Sequence, residues 1–216
     1  MKKVLFLLIL GISSMASFAQ SKEEKEKQKP LYGGGDFELG MRSSGSFFND
    51  AGGAGMGVGG QFRLRIVKRI NTEWYADFFT VNVGDIATRK DMHIGWSVMI
   101  YPFNSDKVKG KFTPYIIVGH CFDGARVYEN NNPSNEARKL SSAVQMGLGT
   151  SYNITDNFDL TLTAQYMNHF GKRLLSRIEG EGFSRTLVIE ENSKVDLEGH
   201  LLITLSLNVK LFDLWK

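Results

Sequence analysis

Near its C-terminus the chain alternates apolar and polar side chains over the length of a whole strand. Leu201, Ile203, Leu205, Leu207, Val209 and Leu211 fall on one face, and Thr204, Ser206, Asn208 and Lys210 on the other. A period of two fixes a β-strand with one oily and one wet side. The run is about eleven residues long, the length a tilted strand needs to cross a bilayer. It ends close to an aromatic residue, Trp215.

The other end of the chain carries a different pattern. Lys2 and Lys3 precede an apolar run from Val4 to Ile12, and small residues then lead to Ser17-Phe18-Ala19 with Gln20 next. This is the three-part layout of a secretory signal peptide over residues 1–19, with cleavage expected after Ala19. The apolar run is short for a spanning helix, and Gln20 stands where a lipoprotein needs a cysteine. Residues 1–19 hold two of the 26 basic residues and none of the 23 acidic ones. The mature chain is therefore close to neutral, and nucleic acid is not an expected partner. The single cysteine, Cys121, has no internal disulfide partner, and no Cys/His spacing suggests zinc. Past the signal no apolar run reaches helical spanning length, so entry into a membrane would have to use strands.

Residues 20–30 are rich in lysine and glutamate and offer almost nothing to bury, which suits a solvated periplasmic leader. From residue 31 to 216 the pattern predicts one domain of eight strands, at 34–42, 54–68, 73–83, 93–102, 111–122, 140–153, 158–169 and 197–212. Connections at 69–72, 103–110 and 155–157 are short or modest. They alternate with longer polar ones at 43–53, 84–92, 123–139 and 170–196. Short turns at one end and long loops at the other are the mark of a transmembrane barrel. Trp74, Tyr75, Tyr101, Phe103, Phe112, Tyr152, Phe158, Phe212 and Trp215 all fall at the short-turn end, as an interfacial aromatic girdle would.

On these features the chain resembles the eight-stranded OmpA/OmpX-like outer-membrane β-barrels of Gram-negative envelopes, over nearly its whole length after the signal. The resemblance implies an all-β, antiparallel, up-and-down transmembrane barrel, monomeric and exported. Its implied partners are outer-membrane lipid, lipopolysaccharide, the assembly machinery of that membrane and an extracellular partner reached through the long loops. Two departures are visible: Lys216 follows the terminal aromatic Trp215, and no periplasmic cell-wall-binding domain is expected after the last strand.

Alternation also assigns inside and outside. Met56, Val58, Phe62, Leu64 and Ile66 share one face of the second strand, and Gly57, Gly59, Gln61, Arg63 and Arg65 the other. Arginines facing hydrocarbon would cost several kcal/mol each, about 2–4 near the midplane, so that second face must be the lumen. By the same reasoning Glu38, Gly40 and Arg42 point inward in the first strand. Gln145, Ser151 and Asn153 do so in the sixth, and Asp159, Thr161, Thr163 and Gln165 in the seventh. In the third strand, placing Asp77 inside puts Phe79 and Val81 there too. An eight-stranded barrel is just narrow enough to be filled by side chains. Arg63 and Arg65 then need acidic partners, with Glu38 and Asp77 expected first and Asp159 and Glu198 in reserve.

No catalytic, cofactor-binding or metal-ligating residue is assigned. His93, His120, His169 and His200 map to the long-loop end, and hairpin arithmetic about Asp106 and Lys107 sets His93 opposite His120. Imidazoles on one rim are the residue type of a metal site or a pH sensor, but the wall separates the pairs, and ordinary rim residues are the expectation. A lipid-editing enzyme needs a serine within reach of a histidine. The same-strand pair His93 and Ser97 lies about 13 Å apart. Gly55 to Gly60 lacks the strand and helix a nucleotide loop requires; its inward glycines are expected to make room for large neighbours. Arg89, Lys90, Arg126, Arg138, Lys139, Lys172, Arg173, Arg177 and Arg185 stand where lipid phosphates would meet them, and Leu187 to Glu190 could extend the last strand. The expected role is structural or adhesive without catalysis or cofactor, the alternative a narrow pore, and a lipid-modifying enzyme a more distant third.

Overall fold

The computed structural model describes residues 34–48, 54–103, 108–180 and 186–215. The signal, the leader and the turn at Asp106 and Lys107 lie outside those residues. Eight strands run in order: β1 (Asp36–Phe48), β2 (Ala54–Val67), β3 (Ile70–Val83), β4 (Ala87–Ile100), β5 (Phe112–Glu129), β6 (Glu136–Asn153), β7 (Phe158–Glu179) and β8 (Thr186–Asp213). Each pairs antiparallel with its sequence neighbour, and β1 pairs with β8, closing the barrel. Closure leaves no free strand edge around the wall, the condition for strands in hydrocarbon.

Hydrophobicity is inverted relative to a water-soluble domain. Leu205, Leu162, Met146 and Val58 are exposed on the outside, whereas Arg63, Glu38, Gln165 and Thr204 are buried inside. The facings read from the sequence hold on strands β1, β2, β6 and β7, and Phe79 and Val81 do point inward on β3. Aqueous solvent would penalise so large a continuous apolar surface; lipid tails would not.

The connections differ from expectation. Most of the residues expected as long loops are strand: β5 runs on to Glu129 and β6 begins at Glu136, while β7 and β8 extend to Glu179 and from Thr186. The long-loop end is therefore built of hairpins that outrun the apolar band. Backbone pairing needs no apolar side chains, so it continues after the lipid-facing pattern stops. Leu187 does lie in this extension of the last strand, as expected.

The aromatic girdle is partly redrawn. Trp74, Phe103, Phe112, Phe212 and Trp215 are exposed on the outside, but Tyr75 and Tyr101 are buried in the lumen. Tyr75 shares the inward parity of Glu73 and Asp77. On the outer wall, Phe212, Phe37, Phe62, Trp74 and Trp96 stack in succession across five strands, with centroids 5.0 to 6.4 Å apart. Gly57 and Gly59 make room as expected: an added Cβ would press on the Phe79 ring at Gly57, and overlap the Ala76 carbonyl and the Asp77 carboxylate at Gly59.

Candidate functional site in the lumen

Inward parity on β1, β2 and β3 brings Arg42, Arg63, Glu73 and Asp77 into one network. Arg63 donates to Glu73 Oε2 from Nε (2.8 Å) and Nη2 (2.6 Å), and to Thr161 from Nη1 at 3.1 Å. Arg42 reaches Glu73 Oε1 at 3.2 Å and Asp77 Oδ1 at 3.0 Å. Its guanidinium also lies 4.2 Å over the Tyr75 ring. From the far wall, Asn208 donates to Asp159 Oδ1 (2.8 Å) and accepts from Gln61 at 2.6 Å. Charges this dry are tolerated only because each is met by opposite charge and hydrogen bonds.

The acidic partners are thus redistributed. Glu73, which is not among the expected acidic partners, is the principal partner of Arg63. Asp77 serves Arg42 instead, and Asp159 stands 3.8 Å from Arg63 Nη1. Glu38 is buried directly opposite Arg63 in the β1–β2 pairing. Arg65 lies nearer the short-turn end, 3.9 Å from Asp36. The side chain of Glu198 lies outside the described residues.

A second cluster fills the lumen nearer the outer hairpins. His93, His169 and His200 are buried with ring centroids 4.8 to 6.2 Å apart. Asp123 Oδ1 is 3.3 Å from His93 Nε2, and its Oδ2 is 3.4 Å from His169 Nδ1. Ser141 lies 3.3 Å from the same His169 nitrogen. The β4–β5 register sets His93 opposite Asp123, and His120 opposite Trp96. His120 is therefore not opposite His93; it stands on the outer face and bonds Ser142 Oγ at 2.9 Å through Nε2. The reason is the hairpin's centre, which the midpoint of positions 93 and 123 places at Val108 rather than between Asp106 and Lys107.

Neither histidine arrangement completes a recognisable reaction centre. Among the described residues no three His, Cys, Asp or Glu side chains converge as metal ligands. The cross-strand pair His120 and Ser142, invisible to same-strand spacing, has no carboxylate on the second imidazole nitrogen among the described residues. His93 and Ser97 both face the lumen, where Ser97 accepts a bond from Gln145 at 2.8 Å.

Above the histidines, Leu187 of β8 leans across the mouth onto Ala87 and Val127. Asn135 fixes it there by donating to the Leu187 carbonyl at 2.9 Å. Above the apolar band, the hydrogen bond from Arg126, reinforced by Arg138, holds the Glu136 carboxyl below the usual glutamate range. A groove of about 620 Å³ does exist, but on the outer wall around Gly60 and Ala76, where lipid tails would lie.

A closed eight-stranded wall, apolar outside and ionic within, identifies the architecture. The chain has the fold of an eight-stranded outer-membrane β-barrel. Neisserial surface protein A shares it at a TM-score of 0.55 and 14% identity, over 81% of this chain and 96% of that one. The N-terminal barrel of Pseudomonas aeruginosa OprF aligns at a TM-score of 0.49 and 12% identity, over 81% and 98%. No family model matches the barrel, and no curated protein matches it.

Proposed function

We propose that the protein is exported, inserts as a monomer into a Gram-negative outer membrane, and acts there without catalysis, as a structural or adhesive element presenting its outer hairpins. The observation that carries this reading is the ionic network of Arg42, Arg63, Glu73, Asp77 and Asp159, which fills the lumen from opposite walls. The histidine cluster and the Leu187 contact add two further constrictions. Arg42, Arg63, Glu73, Asp77 and Asp159 are almost wholly shielded from solvent, which argues against a continuous, ion-carrying column of water. The purified full chain in planar bilayers is expected to give no discrete openings. Reproducible unitary steps would overturn the reading. Cell fractionation should place it with outer-membrane proteins that need detergent for extraction and show heat-dependent gel mobility.

A second reading, a narrow pore, is favoured by one observation: the interior is lined by polar groups such as Gln61, Asn208 and Thr204, which can solvate an ion. The same bilayer recording separates the two.

A further inference from the structure

Three cations stand side by side on the outside of the barrel where its apolar face ends. Lys90 of β4 lies in direct register with Arg126 of β5, and Arg126 with Arg138 of β6. The next row toward the membrane, one same-face step of about 7 Å below, is Met92, Gly124 and Leu140. Met92 and Leu140 are exposed. The cations therefore sit at the height where hydrocarbon gives way to headgroups.

Such a row is unfavourable by itself. Like charges directly opposite one another destabilise a sheet, and here two such contacts occur in series. Glu136 answers two of the three, accepting from Arg126 Nε at 2.8 Å and lying 3.1 Å from Arg138 Nη2. Tyr128 restrains the other side, with the Arg126 guanidinium 5.0 Å and the Lys90 ammonium 5.8 Å from its ring centroid. Positive charge remains in excess on side chains already held in place, and the Arg126 and Arg138 side chains stay 42% and 67% exposed. Beneath them Gly124 leaves a notch between Met92 and Leu140: a Cβ there would meet only the Met92 methyl, at 3.9 Å.

We propose that Lys90, Arg126 and Arg138 form a binding site for the phosphate groups of an anionic outer-leaflet lipid, whose acyl chain descends through the Gly124 notch. The guanidinium forks match phosphate oxygens two at a time, and the ammonium adds a point charge. This inference rests on the reading that the barrel spans the outer membrane.

The test uses the folded full chain in detergent, titrated with bisphosphorylated lipid A and followed by native mass spectrometry. Dephosphorylated lipid A and inorganic phosphate form parallel arms. Each cation is expected to contribute roughly fivefold in affinity, so K90Q/R126Q/R138Q should weaken lipid A binding about a hundredfold, with heat-dependent mobility intact. E136Q should leave binding unchanged or tighten it, and K68Q/R69Q at the opposite end should leave it unchanged. Equal binding of dephosphorylated lipid A, or an unaffected triple variant, overturns the proposal. So does inorganic phosphate binding as tightly as lipid A, or E136Q weakening binding as much as R126Q. Failure of the wild-type chain to insert into phosphatidylcholine vesicles would instead sink the membrane reading, and the lipid site with it.

Discussion

Glu73 Oε2 accepts both Nε and Nη2 of Arg63 directly across the β2–β3 pairing, while its Oε1 meets Arg42, a side chain from β1, at 3.2 Å. One carboxylate thus ties three strands together through the lumen instead of through the wall. Removing one member of a buried ionic group leaves uncompensated charge and costs about 3–5 kcal/mol. Glu73→Ala is expected to show a loss of that size in the urea midpoint of the vesicle-inserted barrel. Adding Arg42→Met to that variant should cost less than Arg42→Met does alone, because its contact with Glu73 is then already lost while its pair with Asp77 is lost in both. If the two effects merely add in a double-mutant cycle, the network does not couple β1 to β3.

Gly59 and Gly60 are neighbours with opposite demands. A Cβ on Gly59 points into the lumen and overlaps the Ala76 carbonyl and Asp77, whereas one on Gly60 points to lipid and comes no closer than 3.7 Å to the Gly40 carbonyl. Gly59→Ala should cost about 1–3 kcal/mol by overpacking, and Gly60→Ala should be near neutral. Folding yield and urea midpoint in lipid check both. Equal losses at the two positions would mean that backbone freedom, and not lumenal space, explains these glycines.

How far the sequence carries this fold depends on what enforces each feature. Lipid demands an apolar outer face, so the strand count and the facing of Leu201 to Leu211 or Arg63 are written as a period of two. Beyond the membrane that demand ends. The outer parts of β5 to β8 therefore read as polar loop although they pair as strands. Glu73 shares parity with Asp77 and could have been read as lumenal; its position at the expected start of the third strand hid it. Arg42 meeting Asp77, or His93 meeting His169, depends on closure bringing non-neighbouring strands together, which no local spacing records. His120 with Ser142 depends on the true centre of a hairpin.

The lumenal histidines are expected to be poor metal ligands. Nε2 of His93 and Nδ1 of His169 are both turned to Asp123, and the rings pack against one another without converging on a point. Calorimetric titration of the folded chain with zinc should show no binding tighter than millimolar. Asp123→Asn should nonetheless cost about 1–3 kcal/mol, because it weakens the bond accepted from Ser141 and removes the buried carboxylate charge that faces His93 and His169.

The outer β5–β6 hairpin should loosen in acid. Hydrogen bonding from Arg126 lowers the Glu136 pKa in the folded chain, so its contribution is present above the unfolded glutamate value and is lost as pH falls through the folded one. Amide exchange at Arg126 and Arg138 is expected to quicken over that acid range in wild type and to be pH-independent in Glu136→Gln, after correction for intrinsic exchange.

Leu187 offers a separate test of the outer mouth. It is buried against Ala87 and Val127, residues of two other hairpins, yet it belongs to the part of β8 that has passed its last pairing with β1. Its packing therefore joins the β7–β8 hairpin to β4 and β5, strands to which the wall does not pair it. Leu187→Ala removes most of that contact and should cost about 2 kcal/mol or more, read locally as exchange some thirtyfold faster at Val127 and its neighbours. Amides deep in the wall, such as that of Ile117, should be unchanged, because the strand ladder there does not depend on the contact. Equal acceleration at Ile117 would show that the mouth and the membrane-spanning wall unfold as one unit, and that Leu187 belongs to the core of the barrel and not to a cap upon it.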